Sequence, residues 1–389
     1  MTSRSVYCVS LATLTMLAGF APASAGGPDA LVLKDQERIL FLGSGFVEND
    51  QGHAYLETRL QRRFPDRNLI FRYMGWSGDN VRASARTAGF QVPQGLARLE
   101  KETLTQKPTL IFLAYGMNES FDGPKGLADF LRDYDKLLTA LAPLQARVVI
   151  VSPTYHEDLG RPFPDPGVHN KQLHEYTLAL KELAQKRKLR FVDLFHPLEA
   201  AKKANPKIDL TTNGILLTKT GYVVAARAIE EQLGYTPYRW DVAVDESSKV
   251  SEGTKIGAIT TKKRSVRFEA TDTMLPVAGD DCQLKITGLP DGNYTLKIEG
   301  VEVLTATAAD WSKGVNLAPF ADSEKLRAEI VQRNQLFYRR WRPYNDHSRH
   351  WGFIGGDFKL YDQDIAAQEK RIAAARAPQS RTFEIAPRP

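Results

Sequence analysis

Between residues 31 and 222, short runs rich in apolar and β-branched residues alternate with longer stretches in which apolar residues recur at helical spacing. Five short runs stand out, at 39–42, 69–73, 109–114, 148–152 and 190–194, and segments 55–64, 127–141 and 173–185 carry the helical period between them. Runs of that length bounded by turn residues read as strands. Strands separated by helices need crossover connections, which make the sheet parallel. The expected fold is a three-layer α/β/α sandwich. In such sheets ligands bind beyond the carboxyl ends of the strands, so a site is sought in the residues just after each run.

After about residue 235 the period changes to two, with strands expected at 265–270, 283–287 and 294–299. Pro290-Asp291-Gly292 supplies the turn between the last two, because glycine permits positive φ. The pattern divides the chain into a main domain over 26–235, a small β-domain over 236–320 and a helical segment over 321–389. An aromatic and basic stretch at 337–358 interrupts that last segment, and the final ten residues, carrying Pro, Ser and Arg, are expected to trail.

The amino terminus changes the picture of where the chain works. Arg4, an apolar run over 6–20 and the small residues Ala23-Ser24-Ala25 have the order of an export signal cleaved after Ala25, which predicts a secreted or periplasmic protein. The run is shorter than the roughly 20 residues a membrane span needs, and no later stretch approaches that length. With Cys8 inside the signal, Cys282 is left alone, so no internal disulfide forms and stability must come from core burial. The 389 residues are 42% hydrophobic, ample for a large core. A net charge of +6 is spread among acids rather than clustered, which reads as a mixed solvated surface and not as a nucleic-acid partner. Asn293-Tyr294-Thr295 fits a glycosylation acceptor of a eukaryotic secretory pathway.

Three stretches follow the first three expected strands: Gly43-Ser44-Gly45, Gly75-Trp76-Ser77-Gly78-Asp79 and Gly116-Met117-Asn118. In order and position they resemble the sequence blocks of the SGNH/GDSL hydrolase family, whose first strand ends in Gly-Asp-Ser with serine as nucleophile. The resemblance implies an acyl-ester hydrolase fold in which the backbone N–H of Gly78 and the side-chain amide of Asn118 form an oxyanion hole. Fixed donors of that kind stabilise the charge that acyl transfer builds on a carbonyl oxygen. The last family block, Asp-x-x-His followed by Gly-Tyr, is matched in frame by Asn213-Gly214-Ile215-Leu216 and Gly221-Tyr222. Asn213 replaces the orienting carboxylate, Leu216 replaces the base and Gly45 stands at the nucleophile position. Leucine accepts no proton, so a serine–histidine relay is impossible at these positions. Tyr55-Leu56-Glu57-Thr58, Arg63-Phe64-Pro65-Asp66-Arg67 and the segment 335–343 extend the likeness to large secreted SGNH-like proteins of planctomycete-type bacteria.

Ser44 is the one hydroxyl left at the first strand tip, and any base for it has to come from elsewhere. His156 follows the fourth strand and His196 the fifth. Asp193 and His196 repeat the Asp-x-x-His spacing, but on an extended strand they point to opposite faces. The seven histidines have neither cysteine partners nor a His-Glu-x-x-His pattern, so no metal and no cofactor is expected. Trp341, Tyr344, Trp351 and Phe353 suit either sugar stacking or packing of the last segment on the main domain. Three functions remain: an esterase or deacylase on an acyl ester, carbohydrate-linked or another small molecule; an inactive binding protein for a glycan or protein partner; and a purely structural role in an assembly.

Overall fold

The run Arg38–Gly43 (β1) alternates its side chains between two apolar faces, with Ile39 and Phe41 on one and Leu40 and Leu42 on the other. A strand apolar on both sides must be covered on both sides, and the chain does this with helices. In the computed structural model, which describes residues 29–86, 92–245, 248–262, 264–318, 320–342 and 358–388, β1 pairs in parallel with Ile70–Gly75 (β2) and Leu110–Ala114 (β3). Arg147–Val151 (β4) and Arg190–Val192 (β5) complete a five-stranded parallel sheet in the order β2-β1-β3-β4-β5. The expected export signal and residues Tyr344, His347, His350, Trp351 and Phe353 lie outside the described residues.

The helices that cover the sheet are Gly45–His53 (α1), Tyr55–Arg63 (α2), Val92–Gln106 (α3), Gly123–Leu141 (α4) and Gly167–Arg187 (α5), which cross between its strands, and Phe195–Ala204 (α6) and Lys219–Gln232 (α7), which follow β5. One core joins Phe41, Phe71, Phe112 and Val149 of the sheet to α2, α6 and α7. The opposite core joins Leu42, Met74, Ile111 and Ile150 to α3, α4 and α5. This is the expected three-layer sandwich.

The β-domain is built from Arg239–Val244 (β6), Lys249–Glu252 (β7), Thr254–Lys262 (β8), Ser265–Asp272 (β9), Asp281–Ile286 (β10), Asn293–Ile298 (β11), Val301–Thr307 (β12), Ala308–Lys313 (α8) and Val315–Asn316 (β13). Ala321–Trp341 (α9) and Phe358–Ala375 (α10) follow, and Phe337 and Trp341 of α9 are buried in the main domain's second core. Packing, not sugar stacking, therefore accounts for Trp341.

The carboxyl terminus corrects the sequence reading. Ser380–Pro387 (β14) does not trail but runs between β11 and β9 in the middle of a five-stranded sheet, which faces the four-stranded sheet β13-β10-β6-β7 across a shared core. Phe383 stacks on Phe268 with ring centroids 5.0 Å apart, and Ile385 is fully buried beside it. Two apolar residues in alternation are a weak signal among Pro, Ser and Arg. The β-domain closes only when the last strand of the chain is inserted.

The two domains meet at a buried charge cluster. Glu230 of α7 accepts from Arg59 and from Arg63 Nε at 2.5 Å, while Arg62 binds Asp280, just before β10, through both of its terminal nitrogens. All five side chains are at most 2% exposed.

Candidate active site

The carboxyl ends of β1, β2 and β3 open on one pocket with a cavity volume of about 130 Å³. Ser44, Gly78 and Asn118 all line it, as do Ser77 and Leu216. The three stretches singled out in the sequence thus converge in space, and no charged side chain is among the lining residues.

Two glycines let the strand tips come together. A β-carbon on Gly43 would stand 2.4 Å from the Ala114 carbonyl oxygen, and one on Gly75 2.1 Å from the backbone nitrogen of Glu48. Helix α1 consequently starts immediately after β1 and lies against the end of β2. Gly78 differs, for it has φ +79° with open space around it. Its requirement is conformational. Gly75→Ala is expected to cost about 3 kcal/mol or more by overpacking, whereas Gly78→Ala should cost only about 1–2 kcal/mol of left-handed strain. Denaturant unfolding of the two variants compares them directly, and equal losses would contradict the distinction.

The second and third blocks are stapled to each other. Asn118 Nδ2 donates to the carbonyl oxygen of Asp79 at 2.6 Å. The carboxylate of Asp79 accepts from Arg86 Nε at 2.8 Å and from the Tyr115 hydroxyl at 3.1 Å. Glu119, which the sequence reading passed over, accepts from Val81 N–H at 2.9 Å and from Gly116 N–H at 3.0 Å, so one carboxyl spans both turns. Burial pushes that carboxyl up to about 7. The only sequence signal for it was its place directly after Gly116-Met117-Asn118. One amide hydrogen of Asn118 remains available to the pocket, and Gly78 N–H meets no acceptor among the described residues.

Among the described residues, no nucleophile–base pair stands at the positions where the family blocks expect one. A β-carbon on Gly45 would sit 3.6 Å from Ser77 Oγ and 4.0 Å from Leu216 Cδ2, at ordinary contact distances and with no positive φ. The missing nucleophile side chain therefore faces the residue standing where the base is expected. Asn213 still organises its turn, its Oδ1 accepting from Ile215 N–H at 3.1 Å and Leu216 N–H at 2.8 Å. Ser44 is 5% exposed, and among the described residues no histidine hydrogen-bonds it or lines the pocket.

Both alternative bases are engaged elsewhere. His156 is buried, and its Nδ1 lies 2.9 Å from His169 Nδ1. His169 Nε2 lies 2.8 Å from Ser120 Oγ, which donates to the Met117 carbonyl. Burial, then the neighbouring His156, lowers His169 to about 4, and burial lowers His156 too, so both are neutral at pH 7. A single proton order satisfies the chain: His169 Nε2–H donates to Ser120, and His156 Nδ1–H donates to His169. His156 Nε2 is then the bare nitrogen, but it abuts Gly214, 2.7 Å from where a β-carbon there would lie. Buried Glu157 holds the same loop through Thr211 N–H and Oγ1, each at 2.7 Å.

The expectation for Asp193 and His196 is corrected. Strand β5 ends at Val192 and the chain turns at once into α6, so the two residues do not sit on opposite faces of a strand. Their side chains meet, His196 Nδ1 to Asp193 Oδ2 at 2.5 Å. Neither lines the pocket.

Residues 41–224 match the model of the GDSL-like lipase/acylhydrolase family. No curated protein matches the chain. Among solved structures, a gut microbial diltiazem-metabolizing enzyme is similar over 92% of this chain and 99% of its own, with a TM-score of 0.72 at 16% identity. An acetylxylan esterase from Geobacillus stearothermophilus covers 53% of this chain and 98% of its own, with a TM-score of 0.42 at 19% identity. The first of these likenesses shows that the fold is shared beyond the sandwich, through the β-domain and the last helices. Residues 41–224 form a GDSL-like lipase/acylhydrolase domain.

Proposed function

We propose that this chain binds a short-acyl ester in the family's pocket without cleaving it. The observation that carries this reading is the pairing of Gly45 with Leu216: the two groups that would form and deprotonate the nucleophile are both gone, and they are gone at facing positions. Among the described residues, nothing else in the pocket replaces them. What remains is a neutral cleft with an amide donor from Asn118 and a free N–H from Gly78, suited to holding a carbonyl oxygen. Its small volume favours an acetyl-sized group over a long acyl chain, since pockets for larger ligands run to roughly 300 Å³ or more. If the export signal functions as its sequence suggests, the ligand is an extracytoplasmic ester, with an acetylated glycan as the natural class to try first.

Binding is tested by calorimetric titration of the protein with acetylated and deacetylated oligosaccharides. The expected result is saturable binding of the acetylated form only, weakened in Asn118→Ala. Equal heats for the two forms would sink the proposal.

A second reading rests on Ser44, whose hydroxyl lines the pocket: hydrolysis with Ser44 as an irregular nucleophile. Wild type and Ser44→Ala are expected to show the same background rate on short acyl esters. Turnover that disappears in Ser44→Ala would establish the esterase and remove the binding-only reading.

A further inference from the structure

Away from the pocket, at the carboxyl end of the edge strand β5, three side chains from two elements converge. His174 on α5 and His196 on α6 approach with Nδ1 and Nε2 3.1 Å apart, and Asp193 holds the far side of the His196 ring. Neither histidine is part of the family site. We propose that His174 and His196 chelate a divalent transition ion that prefers imidazole, with Asp193 as the positioning carboxylate.

The spacing is that of a bidentate site. Two nitrogens bound at about 2.0 Å in a tetrahedral zinc site stand about 3.3 Å apart, so the pair already has the separation of two ligands and needs only a tilt of the rings and a change of the His174 tautomer to aim both lone pairs at one ion. The outer shell is already built. Asp193 Oδ2 accepts the hydrogen bond of His196 Nδ1–H, and Oδ1 accepts the His196 backbone N–H at 3.1 Å. This leaves the lone pair of His196 Nε2 facing His174, and a carboxylate on the far nitrogen is the arrangement that fixes the tautomer of a metal-bound imidazole. Asp193 is itself clamped, its N–H donating to Gln232 Oε1 at 2.8 Å and its carbonyl accepting from Gln232 Nε2 at 2.7 Å.

In the ion-free protein His174 Nδ1–H donates to His196 Nε2. On binding, His174 carries its proton on Nε2 instead and presents the Nδ1 lone pair. His174 is exposed and the His196 side chain is 41% exposed, so an ion reaches both from solvent. No third His, Cys, Asp or Glu joins them among the described residues, so water fills the other positions. Two imidazoles and no carboxylate in direct contact select against magnesium and calcium, which take oxygen ligands.

The test is calorimetric titration of the full chain with zinc chloride in a non-chelating buffer at pH 7.5. One saturable site is expected, lost in His174→Ala and in His196→Ala, weakened about 10- to 100-fold in Asp193→Asn, unchanged in His53→Ala, and without response to magnesium. Ion-free thermal unfolding of each variant controls for folding. Independently, zinc should move the side-chain nitrogen resonances of His174 Nδ1 and His196 Nε2 in the wild-type protein. Absence of saturable binding, binding that survives His196→Ala, or resonance changes confined to other histidines would each overturn the proposal.

Discussion

The triple variant Gly45→Ser, Asn213→Asp, Leu216→His is expected to hydrolyse short acyl esters at least about a hundredfold faster than the wild-type protein, while each single substitution stays near the wild-type rate. The geometry favours the gain at every step. A β-carbon fits at residue 45 without a clash and points toward residue 216. Leu216 is 42% exposed, so an imidazole there displaces no core packing. The Asn213 side chain already accepts two backbone N–H groups through one oxygen, and a carboxylate retains those bonds while offering its second oxygen to the new ring. Nucleophile, base and orienting acid act as a unit, so the effects should be strongly non-additive. The rates are compared on a chromogenic acetyl ester. If the triple variant gains nothing although it folds and still binds ligand, the oxyanion half of the site is damaged too, and Gly78 and Asn118 do not have the role their positions imply.

How much of this was readable from the chain follows from the range of the interactions involved. The five strands of the sandwich were legible because a strand buried on both faces is apolar throughout, a local signal. The convergence of Ser44, Gly78 and Asn118 was legible because parallel topology brings successive strand tips together. Strand β14 was hidden because its identity depends on Phe268 and Trp240, more than a hundred residues earlier in the chain, which receive Phe383. The Asp193 and His196 contact was missed by a few residues of strand length: had β5 continued past Val192, the two side chains would have diverged. Glu119 and the chain Ser120, His169, His156 could not be found locally, since each is defined by a partner on another loop. The substitutions at residues 45 and 216 were read directly from the chain, since neither glycine nor leucine carries a group that attacks a carbonyl or accepts a proton.

Glu230→Gln is expected to cost about 3–5 kcal/mol of stability at pH 7.5, the range for removing one partner of a buried ion cluster. Burial by itself would raise the Glu230 carboxyl, but Arg59, Arg62 and Arg63 outweigh it and hold the group at about 2. A carboxyl lowered from its ordinary 4.5 contributes stability that is complete above pH 4.5 and is lost as pH falls through 4.5 toward 2. The difference between wild type and Glu230→Gln should therefore be constant at neutral pH and shrink through that acid window. Asp50 and Glu119 act in the opposite sense. Burial, with Glu57 nearby in the case of Asp50, raises both to about 7, so the folded state gains stability from them as pH drops from about 7 toward 4. Their contribution is common to both proteins and cancels in the comparison, which isolates Glu230. The exposed neighbour Glu231, paired only with Arg227 on the surface, supplies the control, and Glu231→Gln should stay within about 0.5 kcal/mol of wild type. Since Arg59 and Arg62 also bind Asp280 of the β-domain, denaturant unfolding of Glu230→Gln should reveal the β-domain loosening from the sandwich before either melts. A single unshifted transition would mean that Asp280, through Arg59 and Arg62, suffices to hold the β-domain on the sandwich without Glu230.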